Sequence, residues 1–241
     1  MDKELRNELR RDELKDSLVE ARGFLTRSEV VKPSLAVIAL FLVLAGLYYA
    51  QKYRASSAES AFARASEVFH ATVDPSATPA PSPSTKITFK TQAEKLEKAK
   101  ALFDQLASSY SSMPAGRRAR YYSALCLVQL GKTEEAETAL KPIAALRDPA
   151  TIEPAFARLE LAELLRRTGR AKEAAAYYKA LIADESAGLP KDRLLFGLAG
   201  SLEAAGERVE ARRAYNDLVT RHPQSPFVQD SRQKADALQA L

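Results

Sequence analysis

The sequence predicts an all-α protein in which a single transmembrane helix precedes a solenoid of paired helices. Three observations lead to this prediction. The stretch 33–51 contains no charged residue, and a proline-rich stretch follows at 74–91. From residue 92 onward, apolar residues recur with helical spacing, and three segments that each begin with a glycine repeat one pattern.

Residues 1–32 are predicted to form a cytoplasmic amphipathic segment. Leucines recur there among charged neighbours at steps that place them on one side of a helix. Eight basic residues are balanced by eight acidic ones, which argues against tight adsorption to anionic lipid. Two interpretations stay open: a helix that binds a partner or a membrane surface, and a solvated helix that only precedes the anchor.

Residues 33–51 are predicted to form the transmembrane helix. At about 1.5 Å of rise per residue this stretch spans roughly 28 Å, close to the roughly 30 Å of a bilayer's hydrocarbon core. Tyr48, Tyr49 and Tyr53 stand where interfacial aromatic residues are common, and Lys52 and Arg54 follow directly. A buried core helix is one alternative, but such a helix would normally show a polar side.

A cleaved signal peptide is the other alternative for this stretch. The residues ahead of it are too many and not basic enough, and no A-x-A pattern ends it. Four basic residues lie within about 20 residues on its N-terminal side and three on its C-terminal side. This small bias favours an uncleaved anchor with the N-terminus in the cytoplasm and the C-terminal part outside.

Two segments connect the anchor to the array. Residues 52–73 are alanine-rich with helical spacing, and are predicted to form a juxtamembrane helix that continues the membrane helix. Residues 74–91 are predicted to form a proline-rich loop. Four closely spaced prolines within 74–85 predict an extended run that packs neither as helix nor as sheet. A plain linker explains this loop better than a site of modification on its Ser and Thr residues.

Residues 92–223 are predicted to form repeats of two helices. The segments GKTEEAETAL, GRAKEAAAYY and GERVEARRAY begin at Gly131, Gly169 and Gly206. Each has an alanine five residues after its glycine and a large residue four positions further on. A glycine permits the tight turn between two helices, and the alanine lets the second helix lie close to the first. These three alanines are Ala136, Ala174 and Ala211.

This pattern resembles the tetratricopeptide repeat family, which implies a tetratricopeptide repeat (TPR) α-solenoid. The spacings of 38 and 37 residues between the glycines slightly exceed the roughly 34 of that repeat. The aromatic residue that opens such a repeat is replaced by Arg120, Arg158 and Leu195. Residues 52–73 and the helix that begins near 92 are predicted to form a further repeat, split by the proline-rich loop. Residues 224–241 are predicted to form a capping helix.

In this chain a short charged segment, one span and a degenerate TPR array follow one another. This order resembles that of the YfgM-type ancillary subunits of the bacterial Sec translocon. This resemblance implies a single-pass protein of the bacterial inner membrane with its C-terminal domain in the periplasm. It implies translocon subunits, periplasmic chaperones or emerging chains as partners. The C-terminal part of the array is also similar to envelope-coordination proteins of the Tol-Pal type, which implies a structural scaffold in a cell-envelope complex as the alternative.

The composition argues against catalysis and against nucleic-acid binding. The chain has two histidines, one cysteine and no tryptophan, and neither histidine has a second ligand at metal-binding spacing. The single thiol, Cys126, lies in an apolar helix and is interpreted as a buried structural residue. The net charge of +5 arises from 36 basic and 31 acidic residues, which indicates a mixed surface. We therefore predict no enzyme, no cofactor, no metal, no small-molecule substrate and no nucleic-acid partner.

The candidate site is a peptide- or partner-binding groove along the first helices of the repeats. Aromatic and arginine residues are common anchors in such grooves. Packing between repeats is the competing interpretation, because an error of one residue in register exchanges groove and core. With the three glycines as anchors, the predicted groove residues are Arg118, Tyr121, Leu125, Gln129, Phe156, Leu159, Glu163, Arg166, Arg193 and Phe196.

Overall fold

The structure is a computed structural model and describes residues 28–76, 87–147 and 151–239. It consists of two compact units, Met1–Ser57 and Ala58–Leu241. The first described helix, α1 (Ser28–Phe69), contributes to both units. The predicted cytoplasmic segment lies outside the described residues over positions 1–27.

In the first unit, α1 presents apolar side chains that no other part of the described chain covers. Leu35, Phe41 and Leu44 are 59%, 71% and 54% exposed. The most apolar window of the helix has a mean hydropathy of 2.0, and none of it is buried. By length and composition this helix can cross a membrane, and insertion itself stays a prediction.

In the second unit, the last turns of α1 pack against α2 (Gln92–Ser109). Ala58, Ala65 and Val68 of α1 are buried in a shared cluster. The ring of Phe62 lies 5.7 Å from that of Phe103 and 5.4 Å from that of Tyr122. Helix α2 begins after Thr91, whose hydroxyl accepts a hydrogen bond from the Glu94 backbone N–H.

Between these two helices the structure contains a short sheet that the sequence did not predict. Strand β1 (Thr72–Val73) pairs in parallel with β2 (Thr88–Phe89). Strand β2 lies within the loop predicted for 74–91, after the proline run 74–85 for which helix and sheet are not expected. Two-residue strands show no alternation of apolar and polar side chains, so no pattern in the sequence could have revealed them.

The array continues with seven α-helices over the described residues, and one 3₁₀ turn at Glu185–Ala187. Neighbouring helices in the chain pack against each other. They are α3 (Pro114–Gln129), α4 (Thr133–Ala144), α5 (Glu153–Arg167), α6 (Ala171–Ala183), α7 (Lys191–Ala204), α8 (Arg208–Arg221) and α9 (Val228–Gln239).

The three glycines end the first helices of the pairs, as the sequence predicts. Gly131, Gly169 and Gly206 have φ values of +73°, +78° and +79°, in the left-handed region. In each case the residue after the glycine donates its N–H back to a carbonyl of the preceding helix, at 2.8 to 3.0 Å. This is the Schellman arrangement, in which the glycine position favours a residue without a Cβ.

The small and large positions of the repeat are buried as predicted. Ala136, Ala174 and Ala211 are all 0% exposed, because each lies where two helices come close. The large residues four positions further on fill the space between helices and are at most 1% exposed. They are Leu140, Tyr178 and Tyr215.

Two arginines occupy the opening position of the repeat, where an aromatic residue is usual. They donate hydrogen bonds to backbone carbonyls. Arg158 donates from Nε to the Ala144 carbonyl and from Nη2 to the Leu146 carbonyl, at the end of α4. It also forms a 3.1 Å ion pair with Asp184. Arg120 donates to the Ser111 carbonyl after α2. These side chains satisfy carbonyls that a helix end leaves without partners.

Candidate functional site

The largest group of predicted groove residues comes together at a cavity of about 610 Å³ in the C-terminal half of the array. Helices α5 and α7 supply four of the predicted residues to it. They are Glu163, Arg166, Arg193 and Phe196. Further lining comes from Tyr178 on α6, Tyr215 on α8, Phe227 directly before α9, and Lys234 on α9.

One carboxylate is shared by two guanidinium groups at the rim of this cavity. Glu163 lies 3.6 Å from Nη2 of Arg166 and 3.5 Å from Nη2 of Arg193. The two arginine side chains are 42% and 52% exposed. Ion pairs this long and this exposed are weak, so both guanidinium groups keep N–H donors for a ligand.

A second charged group also lines the cavity. The Tyr215 hydroxyl donates to Glu203 at 2.8 Å, and Nζ of Lys234 lies 3.2 Å from the same carboxylate. Burial and the Glu203 carboxylate raise the pKa of Tyr215 well above its usual value, so the phenol stays a hydrogen-bond donor. Lys234 therefore has a carboxylate partner within the array.

The floor of the cavity is aromatic. The rings of Phe196 and Phe227 stack with centroids 4.7 Å apart, and Phe196 lies 6.1 Å from Tyr215. The ring of Tyr178 lies against Gly197. A Cβ at position 197 would lie 2.4 Å from that ring. These tyrosines are not among the predicted groove residues because they belong to second helices. The glycines of α7 interrupt an otherwise helical pattern, and they could have indicated that another side chain lies close to this helix.

Two predicted groove residues are core residues in the structure. Leu159 is 3% exposed and packs with Tyr178 and Leu198, and Tyr121 is 8% exposed and packs with Leu140. Their assignment to the groove is wrong, because the register places their side chains between neighbouring helices. This is the exchange of groove and core that a one-residue shift produces.

The remaining predicted residues lie away from the cavity. Arg118 forms an ion pair with Glu59 and lies 4.5 Å above the ring of Phe62, so it joins α3 to the end of α1. Leu125 and Phe156 are half-buried and pack on the cluster around Leu140. Gln129 is exposed at the last residue of α3.

Cys126 is not a candidate nucleophile. Its side chain is fully buried in the cluster formed by α1, α2 and α3. Burial, with a smaller effect from Asp104, raises the pKa of this thiol to about 12, so almost no thiolate exists near neutral pH. Over residues 28–76, 87–147 and 151–239, no three His, Cys, Asp or Glu side chains are grouped as a metal site requires.

Comparison with known proteins agrees with this architecture. The profile of a family described as "Tetratricopeptide repeat-like domain" matches residues 33–240. The chain therefore belongs to the tetratricopeptide repeat-like domain family, whose fold is typical of scaffolds for protein–protein interaction rather than of enzymes. No curated protein is similar enough in sequence to count as a relative.

Solved structures with a similar fold include nearly identical TPR-like repeats of a Podosopora anserina kinesin light chain. A single-substitution variant of those repeats is 18% identical with a TM-score of 0.51, and the match covers 61% of this chain and 78% of that chain. A second structure of those repeats is 17% identical, with a TM-score of 0.48 and coverages of 62% and 89%. The MamA RS-1 ArsTM double mutant is 16% identical, with a TM-score of 0.46 and coverages of 61% and 86%. At 18% identity the likeness to the first of these structures shows the fold alone.

Proposed function

We propose that this protein is a membrane-anchored scaffold whose TPR array binds protein partners at the C-terminal cavity. The observation that carries this proposal is the combination of exposed arginine side chains and half-buried phenylalanine rings in the lining of one cavity. Arg166 and Arg193 offer guanidinium donors to the cavity that the stacked rings of Phe196 and Phe227 also line. Arginine and aromatic residues are the usual anchors of protein interfaces.

The proposed location is the bacterial inner membrane, with residues 1–32 in the cytoplasm and residues 52–241 in the periplasm. The exposed apolar side chains of α1 support the anchor, and the bias of basic residues around the span supports this orientation. The resemblance to YfgM-type subunits favours translocon subunits, periplasmic chaperones or emerging chains as partners. In the alternative, the array is a structural scaffold in an envelope complex of the Tol-Pal type.

In the experiment that tests partner binding, Arg166 and Arg193 are both replaced by glutamate in the full chain. Partners are recovered from detergent-solubilised membranes and quantified by mass spectrometry. We expect recovery to fall by at least about tenfold, because interface arginines each contribute roughly 1 to 4 kcal/mol. The melting temperature should stay near that of the wild type, since both side chains are exposed.

The matched control carries the same change of charge at Arg208 and Arg213, which are exposed on α8 outside the cavity. It should recover partners as the wild type does. Equal recovery by both double variants, with both folded, would contradict the proposed role of the cavity. If partner recovery is instead lost when residues 2–30 are deleted, the main contact lies in the cytoplasmic segment.

A further inference from the structure

Among the described helices, α9 has a neighbour in the chain on one side only. Each helix from α3 to α8 packs against the helix before it and the helix after it, whereas α9 packs chiefly against α8. The buried residues of α9 are Val228, Ser231 and Ala235, so this contact contains little apolar side-chain surface. Elements with few buried apolar contacts open locally at a low cost in free energy. We therefore expect α9 to open more readily than the helices before it.

A buried hydroxyl weakens the same contact further. Ser231 is 0% exposed, and its Oγ has no hydrogen-bond partner within the described residues. The spacing of the three glycines, continued once, places Ser231 at the position that buried apolar residues occupy in α3, α5 and α7. These residues are Ala119, Ala157 and Leu194. A buried hydroxyl without a partner destabilises the state that buries it, and opening of α9 returns the hydroxyl to water.

This segment also forms one wall of the cavity. Lys234 on α9 and Phe227 directly before it are part of the lining. The ring of Phe227 stacks on that of Phe196, with centroids 4.7 Å apart. Nζ of Lys234 lies 3.2 Å from the Glu203 carboxylate and 5.9 Å from the centre of the Tyr215 ring. When α9 moves away, Phe196 and Tyr215 lose these contacts and the cavity opens along that wall.

We infer that α9 is a lid on the cavity, that it opens as a unit, and that the Ser231 hydroxyl raises the fraction of open molecules. The partner of the array binds with the lid open, where it contacts Phe196 and Tyr215. The fraction of open molecules then scales the apparent affinity for this partner. The inference rests on the proposed function, because it describes the regulation of the same cavity.

Hydrogen–deuterium exchange of the full chain in detergent, followed by mass spectrometry, measures the opening. We expect amides throughout α9 to exchange at least about tenfold faster than those in the middle of α7. Ser231→Ala removes the unpartnered hydroxyl and should slow exchange throughout α9 by at least about fivefold. Equal exchange in α9 and α7, or fast exchange confined to the last turn of α9, would overturn the inference. An unchanged rate in a folded Ser231→Ala variant would overturn it as well.

The matched control is Ser201→Ala on α7. Ser201 is also 0% exposed, but its hydroxyl donates to the Gly197 carbonyl at 2.8 Å. Its loss should not slow exchange in α9, and a slowing equal to that in Ser231→Ala would contradict the role of the unpartnered hydroxyl. Val228→Ala tests the opposite direction, because Val228 packs with Leu195 and Leu218. This variant should speed exchange throughout α9 by about threefold or more.

Recovery of natural partners from detergent-solubilised membranes tests the regulation. Ser231→Ala should lower recovery by about threefold or more, because fewer molecules are open. Unchanged recovery in Ser231→Ala, together with loss of partners in the Arg166→Glu, Arg193→Glu variant, would reject the lid and leave the scaffold proposal intact. Unchanged recovery in both variants would reject the cavity as the partner site altogether.

Discussion

The Ala174→Glu variant is expected to lose the cooperative thermal unfolding of the array. Ala174 is 0% exposed on α6, which packs against both α5 and α7. Glutamate there would be an unpaired charge between helices and would also need space that the packing does not provide. The expected loss in free energy of unfolding is about 3 to 5 kcal/mol. Circular dichroism of the isolated residues 58–241 during heating measures the effect.

The matched control for this prediction is Ala176→Glu. Ala176 lies two residues further along the same helix and is exposed. The same side chain there should change the melting temperature by no more than a few degrees, because surface substitutions usually alter stability by about 0.5 kcal/mol or less. Equal melting of both variants would show that the helix register described for α6 is wrong.

The second large effect is expected at the membrane. The wild-type chain should stay in the membrane fraction after an alkaline carbonate wash and keep its N-terminus. Replacement of both Leu40 and Leu44 by arginine should move most of the protein out of that fraction. Each arginine near the centre of a span costs roughly 2.5 to 3.5 kcal/mol for insertion. Immunoblots of the washed fractions and N-terminal sequencing provide the readout.

The control for this experiment places the same two arginines in the array, at Leu146 and Ile152. Both residues are exposed, at 44% and 61%, and lie outside the apolar helix. This control should stay with the membrane. Release of the wild type by carbonate, or a new N-terminus near residue 50, would contradict the anchor and would indicate a cleaved signal peptide.

The repeat pattern allowed much of the array to be predicted from the sequence. Gly131, Gly169 and Gly206 end helices in the left-handed conformation, and the alanines after them are buried as the spacing predicts. Such positions are predictable because a tight turn and a close helix contact each tolerate few residue types. The short β1–β2 pairing was not predictable, because backbone hydrogen bonds form it and no side-chain pattern marks it.

The candidate site was predictable only in part. Glu163, Arg166, Arg193 and Phe196 line one cavity, whereas Tyr121 and Leu159 are buried between helices. The difference depends on the rotation of each helix about its own axis, which the glycine anchors fix only to within about one residue. Tyr178 and Tyr215 reach the cavity from second helices, and that contact depends on how neighbouring pairs pack.

Photo-crosslinking in native membranes reports directly which surface of the array touches a partner. Benzoylphenylalanine is placed at Ala204, an exposed residue that lines the cavity, and separately at Ala176, an exposed residue outside it. We expect a discrete crosslinked protein from Ala204 that disappears in the Arg166→Glu, Arg193→Glu background, and none from Ala176. Crosslinks of equal yield from both positions, or from Ala176 alone, would contradict this expectation.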